Sequence, residues 1–146
     1  MNRHPYLRAY MAGITFPIAF LPFLVGAVLL TGAIPRQMAL GFLFPLIVIP
    51  NAFGLWNMLY VKLHSHWRHP IGLHGAALPF FIAPLGLVVL GSAGLVQVTG
   101  RGVLYVNTFW IPYWYFVFAP FVALAAYYLI WKYAVGFLNR MLELPV

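Results

Sequence analysis

Residues 111–133 read IPYWYFVFAPFVALAAYYLIWKY. The only charge in that stretch is Lys132, at its very end. At ~1.5 Å per residue, a helix of this length crosses a hydrocarbon core of ~30 Å. Aromatic residues gather at both of its ends, Trp110, Tyr113, Trp114 and Tyr115 at one and Tyr127, Tyr128, Trp131 and Tyr133 at the other. Trp and Tyr favour the headgroup level of a bilayer, so this placement is that of a membrane span seated at two interfaces.

Three more apolar segments of similar length precede it, at residues 11–33, 39–61 and 75–98. The connections at 34–38, 62–74 and 99–110 are short, and no linker or second domain interrupts residues 1–146. The whole chain is 64% hydrophobic and 6% charged. A soluble domain needs roughly a quarter of its residues charged to cover its surface. The sequence therefore predicts an all-α membrane protein, a single domain of four transmembrane helices. The basic N-terminal run is followed by about 23 apolar residues, longer than the ~7–15 of a cleaved secretory signal, and reads as a retained signal-anchor helix.

Orientation follows from Lys and Arg. Arg3, Arg8, Lys62, Arg68, Lys132 and Arg140 fall on the side of the termini, and only Arg36 and Arg101 on the other. The positive-inside bias places both termini and the middle loop in the cytoplasm, in a multi-pass protein of a bacterial-type cytoplasmic membrane. The formal net charge of +7 is scattered over helix ends and is not gathered on one face, so it argues for membrane anchoring and against nucleic acid.

The pattern Gly-x3-Pro-x4-Pro occurs at Gly13/Pro17/Pro22, Gly41/Pro45/Pro50 and Gly75/Pro79/Pro84, one copy in each of the first three segments. A proline inside a helix removes one backbone bond and presses on the carbonyl four residues earlier, and glycine at that position eases the bend. The first three helices are expected to be kinked, their freed carbonyls finding partners in neighbouring helices or water.

The middle loop contains His64, His66, His69 and His74, spelling H-x-H-x2-H-x4-H. Imidazole is the commonest metal ligand, and these residues are the candidate site for a transition metal, with a position open for water or substrate. The spelling superficially resembles the histidine boxes of di-metal hydrolases and membrane desaturases. It lacks the acidic residue of the first, Ser65, Trp67 and Arg68 standing there, and the further boxes of the second. Lys62 and Arg68 add positive charge beside it, and the loop reads more readily as a basic surface facing the anionic lipids of the inner leaflet, where each basic residue contributes ~1 kcal/mol.

Within the spans, Asn51 and Asn57 stand out among Thr15, Thr31, Ser92 and Gln97. They either bond neighbouring helices, at ~0.6 kcal/mol on average, or line a wet path. Glu143 is the one acidic residue and there is no cysteine. Carboxylate-coupled transport, paired-carboxylate catalysis and thiol chemistry are accordingly not expected. The best-fitting function is a homo-oligomeric permeation or small-ligand-binding protein. The alternatives are an accessory or scaffold subunit bound to a membrane-protein partner, and a metal-dependent membrane enzyme using the histidine loop.

Overall fold

The structure is a computed structural model that describes residues 4–30, 36–66, 69–106 and 109–146; the side chains of 24 and 27–44 are also outside the description. Arg3, Arg68, Trp67 and residues 31–35 therefore lie outside the described residues, as does the side chain of Gly41. The chain is predominantly helical: α1 (Pro5–Leu30), α2 (Arg36–Leu63), α3 (Ile71–Ala77), α4 (Pro79–Ser92), α5 (Tyr113–Leu129), a π-helix (Ile130–Val135) and α6 (Gly136–Met141). Three stretches among the described residues are long and apolar enough to cross a membrane, Pro45–Leu63, Ile71–Ser92 and Tyr113–Met141.

The all-α expectation needs one correction. Residues 96–112 form a three-stranded antiparallel sheet, β1 (Val96–Thr99), β2 (Gly102–Tyr105) and β3 (Phe109–Pro112), in the order β1-β2-β3. The third segment consequently stops at Ser92 and does not run to 98. Its end is a Schellman motif: Gly94 takes φ +71, its N–H donates to the Gly91 carbonyl at 3.0 Å, and the Leu95 N–H donates to the Leu90 carbonyl at 2.8 Å. Only glycine enters that left-handed conformation without steric cost. β1 and β2 then pair Val98 with Val103 and Thr99 with Gly102 around the two-residue loop Gly100-Arg101.

The same segment also begins earlier than expected, at Ile71, and is interrupted at Leu78. Pro79 has no N–H to give the Gly75 carbonyl, and the Leu78 N–H donates to it instead at 3.1 Å. One tight turn thus divides α3 from α4. Pro17 and Pro22 lie inside α1, Pro45 and Pro50 inside α2, Pro84 inside α4 and Pro120 inside α5.

The core sits at the end of the molecule that carries the 64–70 connection and α6. Phe53, Tyr60, Ile71, Leu78, Trp131 and Val135 form it. At Gly13, α1 and α2 touch backbone to backbone: a Cβ there would lie 2.5 Å from the Phe53 carbonyl oxygen and 2.8 Å from the Gly54 Cα. Ala9 and Ala12 are buried in the same contact. Glycine in the Gly-x3-Pro pattern is thus a point of helix contact as well as the residue beneath a proline. The other half differs, because α4 and α5 bury none of their residues within the chain.

The π-helix is positioned to serve the core. In an α-helix four residues overshoot a full turn by about 40°. The wider π turn, with i→i+5 bonds, advances less per residue. Trp131, Val135 and Asn139 therefore remain on one face, and each is fully buried at 0% exposure.

Candidate functional site

The first polar constellation is a reciprocal amide pair. Asn57 Nδ2 donates to Asn139 Oδ1 at 2.7 Å, and Asn139 Nδ2 donates to Asn57 Oδ1 at 3.1 Å. Asn57 Nδ2 also donates to the Ala9 carbonyl at 2.8 Å, and Asn139 Nδ2 to the Pro145 carbonyl at 3.3 Å. Four parts of the chain, α1, α2, α6 and the C-terminal segment, are thereby tied through two buried side chains. Asn51 bonds twice as well: its Nδ2 donates to the Ile47 carbonyl at 2.8 Å, and its Oδ1 accepts the Tyr10 hydroxyl at 2.5 Å. The Ile47 carbonyl is the neighbour of the Leu46 carbonyl that Pro50 leaves without a donor. Both asparagines bond across helices, and their amide groups are engaged in doing so.

The histidines disperse. His74 is boxed in aromatic rings, stacked on Trp56 at 4.8 Å and 26°, with Tyr60 at 5.2 Å and Trp131 at 6.0 Å. Trp56 Nε1 donates to the His74 carbonyl at 2.8 Å, and His74 Nε2 lies 3.0 Å from the Trp56 carbonyl. A carbonyl only accepts, so Nε2 carries the proton and has no lone pair to offer a metal. His66 Nδ1 sits 2.8 Å from the Ser65 hydroxyl. Among the described residues no three His, Cys, Asp or Glu side chains come together in a group that could hold a metal ion. His64, His66, His69 and His74 thus do not converge as their spacing suggested. The turns at 64–66 and the start of α3 at Ile71 pull them to different surroundings.

Two of them meet other cations instead. His64 and His69 line a pocket of about 480 Å³ with Lys132 of the π-helix and Arg140 of α6, against Pro70, Ile71, Gly72, Tyr128 and Val146. α3 reaches this position because Gly72 has no side chain: a Cβ would fall 2.8 Å from the Tyr128 ring. The Lys132 ammonium lies over the rings of Tyr128, at 5.6 Å, and Tyr133, at 5.3 Å. His64 Nδ1 is shielded from solvent and has no hydrogen-bond partner. Lys62, singled out with Arg68 in the loop, is exposed at the end of α2 and outside this lining.

A second cavity is almost wholly apolar. About 510 Å³ lies between α1, α2 and the α5/π junction, walled by Phe16, Pro17, Phe20, Leu21, Phe23, Pro45, Leu46, Ile49, Pro50, Phe53, Tyr127 and Ile130. It begins one turn beyond the Gly13 contact. That volume falls within the ~300–1,000 Å³ of small-ligand sites. Comparison of the chain with protein-family models, curated proteins and solved structures finds no match.

Proposed function

We propose that this chain is a four-span membrane protein, α1 being the additional crossing and both ends cytoplasmic, that binds an apolar small ligand inside the bilayer. The observation carrying this reading is the 510 Å³ cavity between α1, α2 and α5. Voids of such size are rare in protein interiors, because their lining atoms forfeit dispersion contacts. In a bilayer the natural filler is hydrocarbon, as the chain of a lipid or the tail of an isoprenoid. The Gly-x3-Pro-x4-Pro copies supply the shape: Gly13 clamps the helix pair, and Pro17, Pro45 and Pro50 bend the two helices apart in the next turn. Permeation of polar solutes fits this site less well, since its lining is apolar and the amides of Asn51 and Asn57 are already bonded.

Native mass spectrometry from mild detergent tests the reading. The wild-type chain is expected to retain one apolar adduct per copy. Leu46→Trp, which projects an indole into the cavity, is expected to lose at least ten-fold of that occupancy. Val88→Trp on α4, at a position 70% exposed, should keep it. Equal adduct on all three proteins would mean ordinary boundary lipid and would end the proposal.

A second reading is favoured by the half of the molecule that buries nothing. α4 and α5 present Phe80, Phe81, Val88, Phe118, Phe121 and Val122 outward, a surface suited to a second copy or to a larger membrane complex as well as to lipid. The same spectra distinguish these, by a defined homo-oligomer or by a retained foreign chain. Topology has its own test. A cysteine introduced by Ser65→Cys, at an exposed position, is expected to react with an impermeant maleimide in inverted vesicles and to resist it in intact cells. The reverse labelling would invert the orientation.

A further inference from the structure

We propose that the pocket formed by His64, His69, Lys132 and Arg140 is a binding site for a phosphate monoester, the terminal phosphate of an anionic lipid headgroup or of a soluble phosphate compound. This inference concerns a site separate from the apolar cavity and stands without it.

Three elements deliver the cationic groups to one place: the 64–70 connection brings His64 and His69, the π-helix Lys132, and α6 Arg140. Charges of one sign do not converge in a half-enclosed pocket without cost, and a counter-charge is the usual compensation. The chain has a single acidic side chain to offer, Glu143, and it lies outside this lining, 3.9 Å from Arg8 of α1. The counter-charge must therefore come from a bound species.

The donors suit phosphate in kind as well as in sign. A guanidinium presents a planar fork that matches two phosphate oxygens, and an ammonium adds a point charge. Lys132 is held in place by the faces of Tyr128 and Tyr133 rather than by an anion of the protein itself. His64 Nδ1 is a ring nitrogen withdrawn from solvent with nothing to bond. A protonated Nδ1 facing an anion's oxygen would resolve that deficit. A phosphate monoester brings a charge of ~−1.5 to −2 and three strong acceptor oxygens, enough for all of these groups.

Position favours the lipid as source. Ile71 opens one candidate span, Ile71–Ser92, and Tyr128 and Lys132 lie toward the α6 end of another, Tyr113–Met141. The pocket thus occurs where two spans meet a polar connection, the depth at which basic pockets between helices hold lipid headgroups.

The test uses the full chain, purified in mild detergent and reconstituted in phosphatidylcholine vesicles with or without ten per cent phosphatidic acid. Acetylation of lysine amines, followed by mass spectrometry, reads the site in the wild-type protein without any substitution. Phosphatidic acid is expected to slow modification of Lys132 at least five-fold while leaving Lys62 unchanged. Native mass spectra should show a phosphatidic acid adduct that falls at least ten-fold in Lys132→Gln/Arg140→Gln and is unaffected by Lys62→Gln. Glycerol 3-phosphate and inorganic phosphate form the other arm. If they protect Lys132 in phosphatidylcholine alone and compete with phosphatidic acid, the phosphate site stands and its source is soluble. If no phosphate compound protects Lys132, or if Lys62 and Lys132 are protected alike, the pocket is merely part of a basic surface and the proposal is overturned.

Discussion

Gly75→Ala is expected to unfold the protein in mild detergent or to lower its thermal midpoint more than any other single-methyl addition. A Cβ at Gly75 would fall on the Cγ, Cβ and Cδ1 atoms of Trp131. The indole cannot yield. It is fully buried, with Phe53 at 5.5 Å and the His74 ring at 6.0 Å on other sides. Relief must come from moving α3, and α3 is the element that brings His74 to Trp56 and Gly72 to Tyr128. Overpacking in a rigid site costs ~1–3 kcal/mol, and this substitution belongs at the top of that range or beyond it. Gly91→Ala is the matched control, since a Cβ there meets nothing within 4 Å; it should be neutral or mildly stabilising. Adding Trp131→Leu to Gly75→Ala should recover part of the loss, a coupling that additive effects would contradict. A wild-type midpoint for Gly75→Ala would mean that α3 does not pack as described.

The second large effect is expected from splitting the asparagine pair. Asn57→Leu removes both bonds between the amides and leaves Asn139 with the Pro145 carbonyl alone, at 3.3 Å. Stranding a buried amide costs ~1–3 kcal/mol, above the ~0.6 kcal/mol average for a hydrogen bond between membrane helices. Asn139→Leu should cost a comparable amount, because Asn57 then keeps only the Ala9 carbonyl. Replacing both partners removes the stranded groups together, so Asn57→Leu/Asn139→Leu should unfold closer to wild type than either single variant does. Strict additivity in that cycle would show that the two amides act independently.

The parts of this fold that were legible in the sequence are those written in runs of residue type. The apolar runs from 45 to 63, 71 to 92 and 113 to 133 coincide with the spans or lie within them, because nothing but hydrocarbon tolerates such sequences as surface. The ends of runs were less legible. Val96-Gln97-Val98-Thr99 continues an apolar stretch by composition, yet Gly94 has already closed the helix through its left-handed turn. The signals present were Gly94 itself and the alternation around Gly100-Arg101. The asparagine pair was half legible. Asn57 is conspicuous inside a span, whereas Asn139 follows Lys132 and reads as the start of a polar tail. The apolar run Ala134-Val135-Gly136-Phe137-Leu138 was the available sign that the helix continues to Met141. The histidine loop misled for a general reason. Ligand spacing is counted along the chain, while His74 already belongs to α3 and its ring is taken up by Trp56, Tyr60 and Trp131. The basic pocket was not legible at all, since Lys132 and Arg140 join His64 and His69 only through the way α3 lies on Tyr128 and Trp131.

The π-helix gives the last span something like a reading frame. A turn closed by i→i+5 bonds holds one residue more than the α ladder on either side requires. Losing any one residue between Ile130 and Val135 would let the ladder run on as α-helix and rotate everything beyond it by about 100°. Every side chain of α6 would survive such a change, yet Asn139 would turn away from Asn57 and Arg140 away from His64. Insertions and deletions there are therefore a different class of change from substitutions. The lipid-facing body of the span and its polar cap are each free to vary in composition, but the number of residues between them is fixed by the phase they must keep.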